Sequence, residues 1–299
     1  MSASGLFVRF SSFVLSKLPP LLIQALARIV TFLGWHLARS RRRIALTNLR
    51  LCFPQMTESA RTEIARAHFG AYVRAALEHG FLWNASAAAI RDFVQMHDEH
   101  HWRMHREGPE PRPVIWLCPH FVGLDAAAIR ISVDTAGCSM YSKQSNADLD
   151  RLMYEGRTRF NQSEIFARTD GIKPVIRAMK KGLPFYYLPD MDFGARESVF
   201  VPFFGVNAAT LTAVSRLAKL TNAVVVPVIA TQRPLAPGYL HGYDVRFYPA
   251  LENFPSGNDV ADAKRINELV ESHVLQNLPQ YLWTHKRFKT RPPGKPSLY

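Results

Sequence analysis

Beyond residue 112, two kinds of hydrophobic pattern alternate along the chain. Short apolar runs bounded by proline or glycine predict buried strands, and segments with apolar residues three or four positions apart predict helices. The predicted strands are PVIWLC, SMYSKQ, PFYYLPD, AVVVPVIA and YDVRFYPAL. The predicted helices are residues 123–136 and the segments NADLDRLMYEGRTRF, GIKPVIRAMKKG, TLTAVSRLAKLTN and DVADAKRINELVESHVLQN. This alternation predicts one α/β domain with a central, mostly parallel or mixed sheet flanked by helices.

Residues 40–107 follow a helical pattern instead. Thr57 stands where the N-cap of the helix TESARTEIARAHFGAYVRAALEHGFLW is expected, and Pro54 ends the preceding helix. Gly182 is expected to end the helix GIKPVIRAMKK at its C-terminus. The segment FVPFFG, residues 200–205, is expected either in the core or in the lining of an apolar pocket.

The N-terminal region carries a membrane signal. Residues 18–38, LPPLLIQALARIVTFLGWHLA, are apolar apart from one glutamine, one arginine and one histidine. Their length suits a short membrane span, and an amphipathic helix lying in the interface is the alternative. Four arginines within residues 39–43 place the following body on the cytoplasmic side, and no cleavage pattern predicts a removable signal peptide. We therefore predict a membrane segment over residues 1–39 and a folded domain over residues 40–299.

The net charge narrows the choice of partners. The chain has 37 Lys and Arg against 24 Asp and Glu, a formal charge of +13, which implies an anionic lipid surface, an acidic protein or a nucleic acid. No helix-turn-helix, zinc-finger or RNA-binding aromatic motif is present, so we expect no nucleic-acid partner. The three well-separated cysteines have no metal or disulfide spacing and are expected to be reduced thiols.

One motif places ionisable residues at the end of a predicted strand. His120 follows PVIWLC, and Asp125 lies five positions later. Across a strand-to-helix turn, with Gly123 relaxing the backbone, the carboxylate can swing back to the imidazole. Asp125 would then hold one ring nitrogen, while the other takes a proton from an attacking hydroxyl. The alternative is a satisfied polar histidine at a strand end, with Asp125 capping the next helix.

Other kinds of site have less support in the sequence. The cluster HDEHH at residues 97–101 lies in a polar stretch typical of a solvated surface, so we expect no metal site. No G-x-S-x-G motif marks a serine nucleophile, and we expect no cofactor.

Four blocks of sequence, read together with this motif, identify a family. RRIALTNLRLCFP, HFVGLD, YLPDMDFGARESVFVPFFG with AATLTAVSRLA, and YLWTHKRFKTRPPG occur in this order along nearly the whole chain. Together they resemble the late acyltransferases of bacterial lipid A biosynthesis, the lauroyl or myristoyl acyltransferase family, whose signature is His-x4-Asp or His-x4-Glu. His120 and Asp125 match that signature.

The resemblance implies a fold, a reaction and a location. The fold would be similar to that of glycerol-phosphate acyltransferases, with residues 40–299 as the catalytic domain. The enzyme would sit on the cytoplasmic face of the inner membrane. It would move a fatty acyl chain from acyl carrier protein to the hydroxyl of a 3-hydroxyacyl chain on a Kdo-bearing lipid A precursor.

The resemblance also implies substrate-binding residues. Arg157, Asp190 and Arg216 match positions that the family uses, and Arg159 is the alternative to Arg157. Met191 departs from the glutamine that many relatives carry there. A structural ion pair or a solvated surface position is the alternative for the arginines, and a strand-end turn for Asp190.

Two other functions remain open from the sequence. One is the same chemistry on another glycolipid, a phospholipid or an aminolipid. The other is a non-catalytic basic protein that binds membranes or nucleic acid, which would need no histidine–aspartate pair at a strand end.

Overall fold

The structure, a computed structural model, describes residues 3–234 and 242–299 of the chain. The helices are α1 Ala3–Lys17, α2 Pro20–Leu37, α3 Arg39–Cys52, α4 Glu58–Asn84, α5 Ala87–Phe93, α6 His100–Glu107, α7 Leu124–Asp134, α8 Ala147–Thr158, α9 Lys173–Lys180, α10 Ala213–Thr221 and α11 Asp259–Gln276. The strands are β1 Val94–His97, β2 Val114–Leu117, β3 Cys138–Tyr141, β4 Glu164–Ala167, β5 Phe185–Tyr187, β6 Ser198–Phe203, β7 Val206–Leu211, β8 Val224–Gln232 and β9 Tyr243–Phe247.

Seven strands form the central sheet, in the order β1-β9-β8-β2-β5-β3-β4. β8 and β9 pair antiparallel, and the other neighbouring pairs are parallel. Strands β6 and β7 form a separate antiparallel hairpin. The sheet is therefore mixed and flanked by helices, which confirms the predicted fold class.

Helices cover both faces of the sheet. Along β2, Val114 and Trp116 pack with α7 on one face, while Ile115 and Leu117 pack with α9, α10 and α11 on the other. All four β2 side chains are at most 1% exposed, so the strand is buried on both faces. A strand of this kind has the continuous apolar sequence VIWL, because neither face meets water.

The register of β2 and β5 positions the site. The two strands are parallel, with Leu117 opposite Tyr187. His120 lies three residues beyond Leu117, and Asp190 lies three residues beyond Tyr187. Because the carboxyl ends of parallel strands meet at one edge of the sheet, these two residues emerge side by side.

Local signals in the sequence were accurate at several helix ends. Thr57 caps α4, since its side chain accepts a hydrogen bond from the Ala60 amide at 3.2 Å. α3 ends at Cys52, two residues before Pro54. Gly182 follows α9 with φ +90°, a conformation that glycine adopts without a steric cost.

Two local predictions were wrong, and some strands were not predicted. Residues 40–107 are not all helical, because β1 lies within them and pairs with β9, a partner almost 150 residues away. The helix expected from Thr210 begins only at Ala213, because the preceding residues belong to β7. Strand β4 was not predicted.

The segment 200–205 lies in β6 and its turn, where Phe203 is fully buried in the core, and it does not line the large cavity described below.

The N-terminal helices present an apolar outer surface. α2 is the one described helix long and apolar enough to cross a membrane by length and composition, and only 11% of it is buried. One side of α2 packs on α4, while large side chains elsewhere on α1 and α2 are exposed. Examples are Phe10 at 64%, Leu21 at 76% and Phe32 at 66% exposure. α2 ends at Leu37, close to the predicted boundary at residue 39, and the first two residues of the expected segment lie outside the described residues.

Candidate active site

His120 and Asp190 form a hydrogen-bonded pair at the carboxyl edge of the sheet. His120 Nδ1 lies 2.7 Å from Asp190 Oδ1, and the His120 backbone amide donates to Asp190 Oδ2 at 3.0 Å. The Asp190 side chain is 2% exposed and that of His120 is 15% exposed. Asp190 therefore fixes both the backbone and the ring of the histidine.

The charge of Asp190 determines which tautomer His120 adopts. Burial raises the pKa of Asp190, but the attraction of His120, its two hydrogen bonds and the more distant Arg287 outweigh burial and hold the pKa below its usual value. An ionised carboxylate accepts hydrogen bonds only, so Nδ1 carries the proton of the neutral ring. Nε2 then has a free lone pair, and no described residue is hydrogen-bonded to it.

Asp125 does not orient His120, contrary to expectation. Its carboxylate accepts two hydrogen bonds from Arg157, at 2.8 and 2.9 Å, and lies 3.0 Å from Nε2 of His79. The physical reason is the position of Asp125 in the first turn of α7, where its side chain meets α8 and α4. The docking of α8 is a tertiary contact that the spacing of the motif does not reveal.

Asp125 and Arg157 are both charged in this site. Burial raises the pKa of Asp125, but Arg157 and then His79 more than offset it and hold the pKa far below its usual value. Burial lowers the pKa of Arg157, and Asp125 reverses this and raises it. Removing one partner of such a buried pair costs about 3–5 kcal/mol, because the other charge is left uncompensated.

Sequence reasoning missed His79. Its Nδ1 lies 2.7 Å from the carbonyl oxygen of Ala75, one helical turn earlier, and its ring packs edge-on against Trp83 at a centroid distance of 5.0 Å. Within the sequence, His79 looks like an ordinary helical residue. Only a prediction that α4 crosses the first turn of α7 would have revealed it.

The remaining predicted binding residues have different surroundings. Arg159 donates to the backbone carbonyls of Trp83 and Ala85, so it joins the end of α8 to the end of α4 and does not line the large cavity. Arg216 lines that cavity, is 60% exposed and forms an ion pair with Asp259 at 2.9 Å. The structure brings Arg157 into the site, leaves Arg159 in a structural position, and places Arg216 at the rim.

A cavity of about 1330 Å³ connects these groups. It is mostly lined by apolar side chains, and His120, Asp125, His79 and Arg157 are among the ionisable residues of its wall. Small-ligand sites usually have volumes of about 300–1,000 Å³, so this cavity is larger than a site for one small ligand needs. Its walls come mainly from α1, α4, α7, α8, α9 and α10 and from strands β3 and β5.

The described residues hold no cluster suited to a metal. Across residues 3–234 and 242–299, no group of three or more His, Cys, Asp or Glu side chains could hold a metal ion. The chemistry that this site supports is proton transfer at Nε2 of His120, with stabilisation of negative charge nearby.

Comparison with known proteins gives the family. The family described as "Bacterial lipid A biosynthesis acyltransferase" matches residues 6–290. The chain is 35% identical over 282 residues to the lipid A biosynthesis myristoyltransferase of Escherichia coli K12, covering 92% of this chain and 83% of the relative. It is 32% identical over 268 residues to the lipid A biosynthesis lauroyltransferase of the same organism, covering 89% and 85%.

Among solved structures, the 1-acyl-sn-glycerophosphate acyltransferase PlsC from Thermotoga maritima matches 86% of this chain and 95% of its own, with 12% identity and a TM-score of 0.39. The extent of the family match and the identity to curated relatives decide the assignment. The chain therefore belongs to the bacterial lipid A biosynthesis acyltransferase family and is an acyltransferase of lipid A synthesis.

Proposed function

We propose that this enzyme transfers a fatty acyl chain from acyl carrier protein to the hydroxyl of a 3-hydroxyacyl chain on a Kdo-bearing lipid A precursor. The observation that carries the mechanism is the 2.7 Å contact between His120 Nδ1 and Asp190, at a histidine that lines the cavity and whose Nε2 is hydrogen-bonded to no described residue. This is the arrangement that a general base requires, with one nitrogen fixed and the other available.

In the proposed reaction, Nε2 of His120 removes the proton of the acceptor hydroxyl as its oxygen attacks the thioester carbonyl carbon. The C–O bond forms, and the carbonyl oxygen becomes an oxyanion. When the tetrahedral intermediate collapses, the C–S bond breaks and the imidazolium returns the proton to the departing thiolate. Asp190 stabilises the imidazolium throughout, because its ionised carboxylate is already in place.

Arg157 is proposed to stabilise the oxyanion and to position the substrate, and Asp125 is proposed to hold Arg157 in place. Arg157 lines the cavity while its guanidinium is held by Asp125, so its position is fixed before substrate binds. The first turn of α7 lies at the same wall, and a helix N-terminus favours negative charge. In this proposal Asp125 acts through Arg157 and His79 rather than through His120.

A basic surface supports an acidic protein as the donor. α9 and the residue after it expose Lys173, Arg177, Lys180 and Lys181, and none of these forms an ion pair with another described residue. Ile172, beside them, is 41% exposed and lines the cavity, so the basic surface adjoins an opening. An acidic carrier protein would be steered to this opening by charge.

The apolar surface of the N-terminal helices supports the proposed acceptor and the proposed location. α1 lines the cavity with Val8, Ser11 and Leu15, while Phe10 and Phe13 on the same helix are exposed. A lipid could therefore reach the cavity along an apolar surface, with the arginines of α3 near anionic headgroups. We propose attachment to the cytoplasmic face of the inner membrane.

The experiment is mass spectrometry of lipid A from cells with the gene intact, deleted, or replaced by His120→Ala. Deletion should remove the mass of one acyl chain, and His120→Ala should fail to restore it while the protein still fractionates with membranes. Unchanged lipid A in the deletion strain would contradict the acceptor assignment. A panel of glycolipid, phospholipid and aminolipid acceptors would then test the alternative acceptors.

A further inference from the structure

A short turn near the C-terminus contacts both sides of the His120–Asp190 pair. It covers residues 282–285 and is closed by a hydrogen bond from the His285 amide to the Leu282 carbonyl at 3.2 Å. At one end, the Leu282 amide donates to the His120 carbonyl at 2.9 Å. At the other end, Nε2 of His285 accepts from the Asp192 amide at 3.1 Å, two residues after Asp190. One turn therefore holds the backbone that carries the base and the backbone that carries its carboxylate.

The turn is itself fixed by buried side chains on either side of His285. Asn48 of α3 is 2% exposed and donates to the carbonyls of Trp283 and His285, both at 2.7 Å. Arg287 is also 2% exposed and donates to the Ala209 carbonyl of β7 at 2.8 Å. The ring of His285 is therefore attached to a backbone that has little freedom to move.

The ring of His285 can accept a hydrogen bond because it is neutral. Burial, and after it the charge of His120, lower the pKa of His285 from 6.5 to about 4. A ring with that pKa is unprotonated at neutral pH, so Nε2 keeps the lone pair that the Asp192 amide needs. His285 does not line the large cavity, so its side chain acts on the backbone of the site and not on a substrate.

We propose that His285 is a positioning residue, which holds the segment 190–192 at the distance from His120 that brings Asp190 to Nδ1. The inference rests on the proposed function, because His120 is the general base of that reaction. Its physical basis is that a displacement of about 1 Å in a catalytic group can cost about 10²-fold in rate.

The test changes the reach of one hydrogen-bond acceptor. In His285→Gln, the amide oxygen lies as many bonds beyond Cγ as Nε2 does, so it can accept from the Asp192 amide. In His285→Asn, the same group lies one bond closer to the backbone and cannot reach that amide. His273→Asn is the matched control, because His273 is a buried histidine, 7% exposed, whose ring packs on Tyr248 and does not line the cavity. Steady-state transfer from acyl carrier protein to the lipid A precursor is measured for the full chain, with a thermal melt of each variant.

We expect kcat of His285→Asn to fall about 10- to 100-fold with KM for both substrates changed little, because the variant misplaces the base without removing a contact to substrate. His285→Gln should restore kcat to within about threefold of the wild type, because its oxygen replaces Nε2 as the acceptor. His273→Asn should keep the wild-type kcat even if it melts at a lower temperature.

Equal kcat values for the two His285 variants, whether both are low or both are normal, would overturn the proposal. A rise in KM as the main effect would overturn it too, because it would place His285 in substrate binding. If either His285 variant does not fold, the contact serves stability and the positioning role fails. If the wild-type enzyme transfers no acyl chain to the precursor, the proposed function itself fails, and this result is distinct from an active wild type with equally active variants.

Discussion

Replacing Asp190 with asparagine tests which carboxylate serves His120. Asp190 accepts two hydrogen bonds from the same residue, one from the His120 amide and one from Nδ1. An asparagine side chain is neutral and carries an NH2 group in place of one carboxylate oxygen, so it no longer offers one acceptor oxygen to each donor. One of the two N–H donors of His120 would face another donor, and the ring would lose its fixed tautomer.

The size of the effect follows from the charge that is removed. With 2.7 Å between Nδ1 and Oδ1, the imidazolium and carboxylate charge centres are about 4 Å apart, and unit charges at that distance attract by about 4 kcal/mol at an effective dielectric constant of about 20. That energy corresponds to about a 10³-fold effect on rate. The same substitution in a serine protease triad lowers kcat about 10⁴-fold. We expect kcat of Asp190→Asn to fall about 10³-fold or more, with KM changed little.

The assay is steady-state transfer from acyl carrier protein to purified lipid A precursor. Asp192→Asn is the control, because Asp192 is also buried, at 4% exposure, but accepts from Thr290 and Gly194 rather than from the His120 ring. It should lower thermal stability while leaving kcat within about tenfold. If Asp190→Asn keeps wild-type kcat while Asp125→Asn loses it, the pairing inferred from the sequence is the functional one and our assignment fails.

Three further outcomes are expected. Arg157→Lys should lower kcat by about 10- to 100-fold, because lysine cannot make the two-pronged contact with Asp125, and wild-type kcat would contradict this. The double variant Arg177→Glu, Lys180→Glu should raise KM for acyl carrier protein about tenfold at low salt and by less at high salt. The control Arg106→Glu changes an arginine on the opposite face of the sheet and should leave this KM unchanged. If both variants raised KM equally, α9 would not be the surface that binds the carrier protein. Burial lowers the pKa of His68 from 6.5 to about 4, so the unfolded chain binds a proton that the folded one does not. Stability in urea titrations should therefore fall by about 3 kcal/mol as pH drops from 6.5 to 4, and His68→Gln should flatten that slope.

Strands and helices could be predicted from the sequence where the residues of the element itself carry the pattern. β2 and β8 are buried apolar runs, α4 and α11 have side-chain N-caps, and Gly182 follows the end of α9. β1 was missed because its pairing partner β9 is distant in the chain, whereas β4 and the β6–β7 hairpin were missed although the two strands of the hairpin are adjacent in the sequence. β1, VQMH, has little strand character of its own and exists through its pairing with β9.

The site shows the same division between local and distant information. His120 and Asp125 could be named from the His-x4-Asp motif that follows a strand, and Asp190 from the resemblance to the family. Their partners could not, since β2 and β5 are nearly 70 residues apart in the chain and only their parallel register brings His120 to Asp190. His79 had no signal at all, because its role depends on how α4 crosses α7.

The spacing of the His-x4-Asp motif has a physical meaning even though its two ionisable residues are not hydrogen-bonded to each other. The turn between them is tightly held: the Tyr186 hydroxyl donates to the Leu124 carbonyl at 2.9 Å, and a Cβ on Gly123 would lie 2.9 Å from the Ala230 carbonyl oxygen. With the turn fixed in this way, four intervening residues direct His120 toward β5 and Asp125 toward α8. The motif thus joins two separate networks, one that supplies the base and one that holds an arginine. A change in spacing would misplace one network even if both side chains were kept.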